Sequence, residues 1–421
     1  METLKIINYV IAILFTIIYA YQVLYVPLSW FIKKKELNTA STIHDFAVLI
    51  CARNEAQVIS GIIESLKNQT YPQNKIHIFV MADNCDDDTA EIARKWGAHV
   101  YTRFDKSNVG KGYALEVLMK HLKEDYPDGF DGYFIFDADN ILEPDYIEQM
   151  NKTFSAGHEI VTSYRNSKNY GDNWISAGYA LWFMRESRYL NYARYLLGTS
   201  CAVSGTGFMF SRRIADKIGN WPFHMLTEDI EFTIHHITKG ENIAFCKKAV
   251  LYDEQPVSFI QSWRQRLRWC RGYLQVFNSY KKDLFKGIFK GSFACFDMSM
   301  TVVPGIVLTI ISVVFNLSLS IWKASIDNDI MIAIKSIGLL LANMYFMFFI
   351  IGAITTVSEW KMIRTSVFKK VLYTLTFPLF MFTYLPISFL SIFLKTEWEP
   401  IQHTVTAKQF HADGDSLYDR D

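Results

Sequence analysis

The sequence carries almost no excess of either charge: 43 Lys and Arg stand against 42 Asp and Glu, a net +1 at pH 7. That balance removes the electrostatic footprint of a chain that binds nucleic acid, so a phosphate-bearing ligand has to be held by local groups. Cysteines are few. Cys51, Cys85, Cys201, Cys246, Cys270 and Cys295 form no C-x-x-C pair and show no zinc-like spacing, which argues against a disulfide framework or a structural zinc site and predicts reduced thiols packed as small hydrophobes. The N-terminus lacks the small-residue cleavage site of a signal peptide. What is abundant is apolar: 50% hydrophobic and 15% aromatic residues are high for a purely soluble chain and imply a surface that faces lipid.

Leu4 to Phe31 is almost uncharged apart from Lys5 and exceeds the roughly 20 residues that cross a bilayer. It ends in Tyr21, Tyr25 and Trp30, then Lys33, Lys34 and Lys35. Residues 1–35 are therefore expected to be a retained anchor, and the lysines place the succeeding segment in the cytoplasm. Late apolar stretches at 293–322 and 330–357 read as a spanning hairpin, with Lys361, Arg364, Lys369 and Lys370 on the cytoplasmic side. A further stretch, 371–394, is interrupted by Pro378 and Pro386 and is read as interfacial or re-entrant rather than as a third span. The expected organisation is an anchor, a cytosolic domain over 36–275, a membrane region over 276–394 and a tail over 395–421, in a multi-pass protein of the cell membrane.

Between about 45 and 240, short apolar runs alternate with helix-like stretches, as in a parallel sheet with crossover helices. Phe46–Cys51, Ile76–Ala82, Ala98–Tyr101 and Tyr133–Asp137 read as strands. Ile59, Ile62, Ile63 and Leu66 at helical spacing, and Thr89–Trp96, read as helices. Ligands of such sheets bind beyond the carboxyl ends of the strands, where Arg53-Asn54-Glu55, Asp83 and Asp137-Ala138-Asp139 fall.

Asp137 and Asp139, two apart where strand gives way to loop, can converge on a hard cation such as Mg²⁺ or Mn²⁺ and on a nucleotide beside it; an isolated Asp-x-Asp also caps turns. Glu55 and Asp83 offer acceptor oxygens to a ribose or a base edge. Lys111, between Gly110 and Gly112, can meet phosphate, or it is a solvated turn. Asp86, Asp87 and Asp88 suit the cap of the helix starting near Thr89. Thr227-Glu228-Asp229 precedes a helix-like run, where acidic residues are ordinary first-turn choices. Trp263–Tyr273 alternates arginines with aromatics on one helix, fit to lie on anionic lipid with one face and to turn Gln265, Arg268 and Trp269 to a site with the other.

In order, VLICARNE (48–55), VMADNCDDDTA (80–90), FDAD (136–139), SGTGFMF (204–210), TED (227–229) and QRLRW (265–269) resemble glycosyltransferase family 2, specifically the membrane-integrated branch of cellulose, chitin and hyaluronan synthases. The resemblance covers about residues 45 to 275 and the flanking membrane segments. It implies a GT-A fold, Rossmann-like α/β, an inverting mechanism and a UDP-sugar donor. It implies that Glu55, Asp83, Lys111 and Asp137 contact the nucleotide, that Asp139 binds the metal and that Asp229 is the general base. Gln265, Arg268 and Trp269 resemble the lid over the diphosphate and the acceptor's terminal sugar, and Ser204, Gly205, Thr206, Gly207 and Phe208 the acceptor-site loop. The expected product is a β-linked polysaccharide, with glucose favoured over N-acetylglucosamine; a non-processive enzyme with a lipid-linked acceptor is the alternative. A transport or scaffold protein that only senses a nucleotide is the reading from another class. The chain departs from the family in having Ala82-Asp83 where paired acids are common. Its tail, Trp398 to Thr404, only loosely matches the Trp-containing motif of hyaluronan-type synthases, and no catalytic role is assigned to it.

Overall fold

The computed structural model describes residues 13, 20–32, 41–302, 304–326, 330–396, 403 and 405–410. Most of the expected anchor, Lys33 to Lys35, the hairpin tip at 327–329 and all of the Trp398–Thr404 motif except His403 lie outside the described residues.

The chain runs α1 (20–31), β1 (Phe46–Ala52), α2 (Ile59–Lys67), β2 (Ile76–Asp83), α3 (Thr89–Lys95), β3 (His99–Arg103), α4 (Lys111–Asp125), β4 (Gly132–Asp137), β5 (Ile141–Leu142), α5 (Tyr146–Ser155) and β6 (Ile160–Ser167). It continues through α6 (Trp174–Arg185), a π-helical turn (Glu186–Asn191), α7 (Tyr192–Leu196), β7 (Phe208–Ser211), α8 (Arg212–Ile218), α9 (Glu228–Thr238) and β8 (Ile243–Asp253). Last come α10 (Phe259–Phe289), α11 (Phe293–Val302), α12 (Pro304–Ile326), α13 (Ile330–Ser358), α14 (Val367–Phe382) and α15 (Tyr384–Phe393).

The sheet has eight strands in the order β3-β2-β1-β4-β7-β6-β8-β5. β3, β2, β1 and β4 are parallel, as their continuous apolar runs require. The expectation of a purely parallel sheet is corrected, because β7 runs antiparallel to both β4 and β6, and β5 antiparallel to β8. Both faces are covered. Ala47 and Leu49 join a core with α4, α6 and β7, while Phe46, Val48 and Ile50 join another with α2 and α5. The alternation follows from the two-residue period of a strand. With β6 and β8 parallel to each other and antiparallel to β7, the carboxyl ends of β1, β2, β4, β6 and β8 and the start of β7 share one edge. The turns leaving β1 and β2 use left-handed asparagines, Asn54 at φ 57° and Asn84 at φ 52°.

The break expected after 275 falls inside α10. Among the described residues, Ile337–Ser358 and Val367–Phe393 are long and apolar enough to cross a membrane. Their packing differs: the first is 6% buried and the second 39%. α14 docks by placing Phe377 against Gly352 and Phe380 against Gly178, where added Cβ atoms would lie 2.8 and 2.3 Å from the rings. Both ends of the α14–α15 stretch are tied to the α/β part of the chain and α10: Lys369 Nζ donates to Gly171 O at 2.7 Å, and Arg271 Nη1 to Ser391 O at 3.2 Å. The end of α1 joins them through Asp297 of α11, which accepts from Tyr21 at 2.9 Å, Tyr25 at 3.0 Å and Arg194 Nε at 2.7 Å.

Gly178→Ala should therefore destabilise the α6–α14 contact by about 1–3 kcal/mol, the range of overpacking in a filled core. Thermal unfolding in detergent should show a lowered midpoint; an unchanged midpoint would mean that α14 is not seated on α6.

Candidate active site

The strand-end edge opens on a cavity of about 540 Å³. Its walls include Glu55, Asp83, Lys111, Asp137 and Asp139 at one end and Asp229, Gln265, Arg268 and Trp269 beside them. Residues separated by more than 200 positions in sequence are thus brought together by the topology. Of the expected acceptor loop, Ser204 and Gly205 reach this cavity. Thr206, Gly207 and Phe208 do not line it, which corrects the expectation for those three: Thr206 and Phe208 are buried, at 3% and 1% exposure, and a Cβ at Gly207 would lie 1.9 Å from Leu251. The physical reason is that Phe208 already begins β7 and packs on Phe232.

Lys111 is the hub. Its Nζ donates to Asp137 Oδ1 at 2.5 Å and to Gly205 O at 2.9 Å. The glycines beside it are needed. Gly110 sits at φ 142°, and a Cβ on Gly112 would lie 2.0 Å from Phe223 O. Burial acts to lower the Lys111 pKa, but Asp137 and Glu228 override it and hold the ammonium above its ordinary value. Asp137 is braced from behind by Thr206 Oγ1, which accepts from its backbone N–H at 2.9 Å.

Asp139, 5% exposed, accepts from Glu254 N at 2.7 Å and Asn140 Nδ2 at 3.3 Å. Asp83 is held by Arg103 Nη1 at 2.6 Å; burial raises its pKa despite that partner. Glu55 faces His403, whose Nδ1 lies 3.0 Å from both carboxylate oxygens. Burial would lower the His403 pKa, but Asp139 and Glu55 lift it to about 9, so the ring is a cation at neutral pH.

Asp229 receives the Gly205 N–H at 2.6 Å. Burial raises the pKa of both Asp229 and its neighbour Glu228, the latter to about 7, with the Asp229 charge adding to the effect on Glu228. Thr227 does stand at the helix cap, but its side chain makes no cap bond. Arg268 Nη1 donates to Leu226 O at 2.7 Å, and Trp269 meets the rings of Tyr179 and Phe183 edge-on at 5.7 and 6.1 Å.

Several lining residues were not anticipated from sequence: Arg165, Arg185, Glu186, Asp253, Glu254 and His403. Arg165 Nε donates to Asp253 Oδ2 at 2.6 Å and its Nη1 to Ser204 O at 3.0 Å. A signal for Asp253 existed, since Leu251-Tyr252-Asp253 repeats the apolar-run-then-acid pattern of β2 and β4. His403 falls in the loosely matching Trp398–Thr404 tail, to which the sequence alone assigned no role.

Among the described residues no three His, Cys, Asp or Glu side chains are grouped to hold a metal ion. Asp139 still fits a hard cation, because Mg²⁺ and Mn²⁺ are commonly bound through one or two carboxylates and take their remaining oxygens from water and substrate phosphate.

The profile described as Glycosyltransferase like family 2 matches residues 44–272, more than half of the chain, and the chain belongs to that family. Its fold is the GT-A-like, Rossmann-type α/β fold with a mixed sheet. The chain is 25% identical over 273 residues to Probable glycosyltransferase YdaM of Bacillus subtilis (strain 168), covering 61% of this chain and 60% of that one. It is 25% identical over 247 residues to the β-monoglucosyldiacylglycerol synthase of Trichormus variabilis (56% and 50% covered). It is 22% identical over 258 residues to the poly-β-1,6-N-acetyl-D-glucosamine synthase of Staphylococcus epidermidis (59% and 60% covered). These alignments span between half and three fifths of the relatives' own lengths. Among solved structures, the mannosyltransferase PcManGT from Pyrobaculum calidifontis, in complex with GDP-Man and Mn²⁺, superposes with a TM-score of 0.57 at 14% identity, covering 91% of this chain and 98% of that one.

The raised Asp229 and Glu228 carboxyls make a pH prediction. A group that must be ionised to act is lost as pH falls through a raised pKa. The acidic limb of the kcat/KM profile should lie above the ordinary carboxylate range, and Glu228→Gln should move it to lower pH by removing one negative neighbour. A limb that stays in the ordinary carboxylate range would remove this pair from the rate-limiting protonation.

Proposed function

We propose that the chain transfers a sugar from a UDP-sugar to an acceptor hydroxyl with inversion, extending a β-linked polysaccharide at the cytoplasmic face of a membrane. The observation that carries the reading is that one cavity is lined by Lys111, Asp137 and Asp139 and also by Asp229 and the Gln265–Trp269 helix face. Lys111 and Arg268 supply fixed positive charge for the diphosphate as the glycosidic bond lengthens. A Mg²⁺ or Mn²⁺ ion held through Asp139 would add Lewis-acid stabilisation of the same leaving group. Glu55 and Asp83 take the nucleoside end, through ribose or base hydrogen bonds. Asp229 accepts the proton of the attacking hydroxyl from the opposite side of the sugar, so an α-linked donor yields a β-linkage. Trp269 presents an indole to the acceptor's terminal ring.

Glucose is the favoured donor sugar and N-acetylglucosamine the alternative, a choice supported by the names of the glucosyl and N-acetylglucosamine relatives. The domain boundaries, the multi-pass cell-membrane location and product export belong to the same proposal. The packing of Val367–Phe393 supports its interfacial reading, because α14 and α15 are tied to the catalytic side at both ends.

A second reading, a single addition to a lipid-linked acceptor, is favoured by the opposite end of the cavity, which is lined by Phe348, Ile351, Phe377, Met381 and Leu385 of α13–α15. The purified chain, given a panel of UDP-sugars and Mn²⁺ or Mg²⁺, should release UDP with one sugar and make a β-linked polymer. Trp269→Ala should shorten that polymer while leaving UDP affinity nearly unchanged, and Asp229→Asn should lower turnover by about 10²–10⁴-fold. A wild-type product of one sugar on a lipid replaces the first reading with the second; no UDP release with any donor would sink both.

A further inference from the structure

We propose that Arg185 forms an anion subsite in the acceptor arm of the cavity, built for a phosphate carried on an apolar chain. The inference rests on the second, lipid-acceptor form of the transferase reading above and specifies the acceptor class of that same site.

Arg185 closes α6 and Glu186 opens the π-helical turn, and both line the cavity. The charged neighbours of Arg185 are already engaged. Arg194 Nε and Nη2 donate to Asp297 at 2.7 and 3.0 Å, Glu186 accepts from Ser204 Oγ at 3.2 Å, and Tyr21 donates to Asp297 at 2.9 Å. The cavity's Arg165 and Arg268 are likewise bound, to Asp253 and to Leu226 O.

Arg185 differs. Among the described residues it makes no hydrogen bond or ion pair, and its described contact is with the Trp182 ring, 5.0 Å from guanidinium carbon to centroid. One face of the guanidinium is thus covered, while its N–H donors have no acceptor among the described residues and stay open to the cavity. Burial lowers its pKa to about 10, which still leaves it charged at neutral pH. A tetrahedral phosphate accepts from a guanidinium in the bidentate geometry that a single hydroxyl cannot offer. The next layer says what carries that phosphate: Trp182 meets Tyr384 of α15 at 6.3 Å, and the wall continues through Leu385, Met381 and Phe348. An anion at Arg185 with an apolar chain along α13–α15 satisfies both halves of the arm.

Equilibrium binding to the purified full chain in maltoside micelles, using radiolabelled decyl phosphate, decyl glucoside and inorganic phosphate as probes, tests this. Wild type should bind decyl phosphate at least about tenfold more tightly than either other probe. Arg185→Gln should lose about 10- to 100-fold of the decyl phosphate affinity without changing that for decyl glucoside, and Arg185→Lys should fall between. Equal affinity for decyl phosphate and decyl glucoside, or no loss in Arg185→Gln, overturns the subsite; inorganic phosphate binding as tightly as decyl phosphate overturns its lipid character. UDP affinity, measured on each variant, should be unchanged and reports that the fold and donor end are intact. If Arg185→Gln loses UDP affinity as well, Arg185→Lys decides, and a wild-type decyl phosphate preference kept unchanged in it overturns the proposal. A wild type that binds decyl phosphate but not UDP would instead remove the transferase reading and leave the subsite standing.

Discussion

The peptide group of Gly205 is gripped on both sides: Lys111 Nζ donates to its carbonyl at 2.9 Å and Asp229 accepts its N–H at 2.6 Å. The rest of the site is arranged around that contact. Lys111 is at the start of α4 and Asp229 in the first turn of α9, so two elements far apart in sequence are fixed to one backbone unit, and Asp137 at the end of β4 joins them through Lys111. A side chain at Gly205 would be strained, since its φ is 77°. The loop before β7 is thereby committed to bridging the donor end and the proposed base.

The same arrangement explains why so many acids can be buried together. Asp137, Asp139, Glu228, Asp229 and Asp253 line one cavity, and like charges at close range resist common ionisation. Lys111, Arg165, Arg268 and His403 supply the opposite charge from separate elements. A diphosphate entering the cavity would compete with Asp137 for Lys111, which makes the Lys111–Asp137 pair a site held ready for exchange rather than a static brace. The Lys111–Asp137 side chains are 14% and 37% exposed, so the carboxylate can turn to solvent while the lysine cannot.

Much of this was legible in sequence because parallel strands buried on both faces are written as uninterrupted apolar runs. FAVLIC, IHIFVMA and YFIFD stand within a residue or two of β1, β2 and β4, and Asp83 and Asp137, at the ends of the second and third, mark the working edge. β7 was hidden, because four residues of FMFS carry no period and their antiparallel pairing depends on tertiary contacts. Thr206, Gly207 and Phe208 shared a motif with Ser204 and Gly205 and were expected at the acceptor. A motif records sequence order, while the turn into β7 decides that its second half is core. His403 was out of reach for another reason: its position depends on residues 405–410 lying along β8, through Val405 N to Glu254 at 2.8 Å and Phe410 on Tyr252 at 4.8 Å. Arg185 became visible only with its neighbours' bonds in place.

The central claim is that Lys111 serves the donor diphosphate and Asp229 the acceptor proton, with Gly205 between them. Isothermal titration of UDP into the wild type, Lys111→Gln and Asp229→Asn, with divalent cation held constant, tests it most directly. The account predicts that Lys111→Gln weakens UDP binding by about 10- to 100-fold, the scale of one charge-assisted phosphate contact, and that Asp229→Asn leaves it within about threefold of wild type. Unchanged UDP affinity in Lys111→Gln, or equal losses in the two variants, would contradict it.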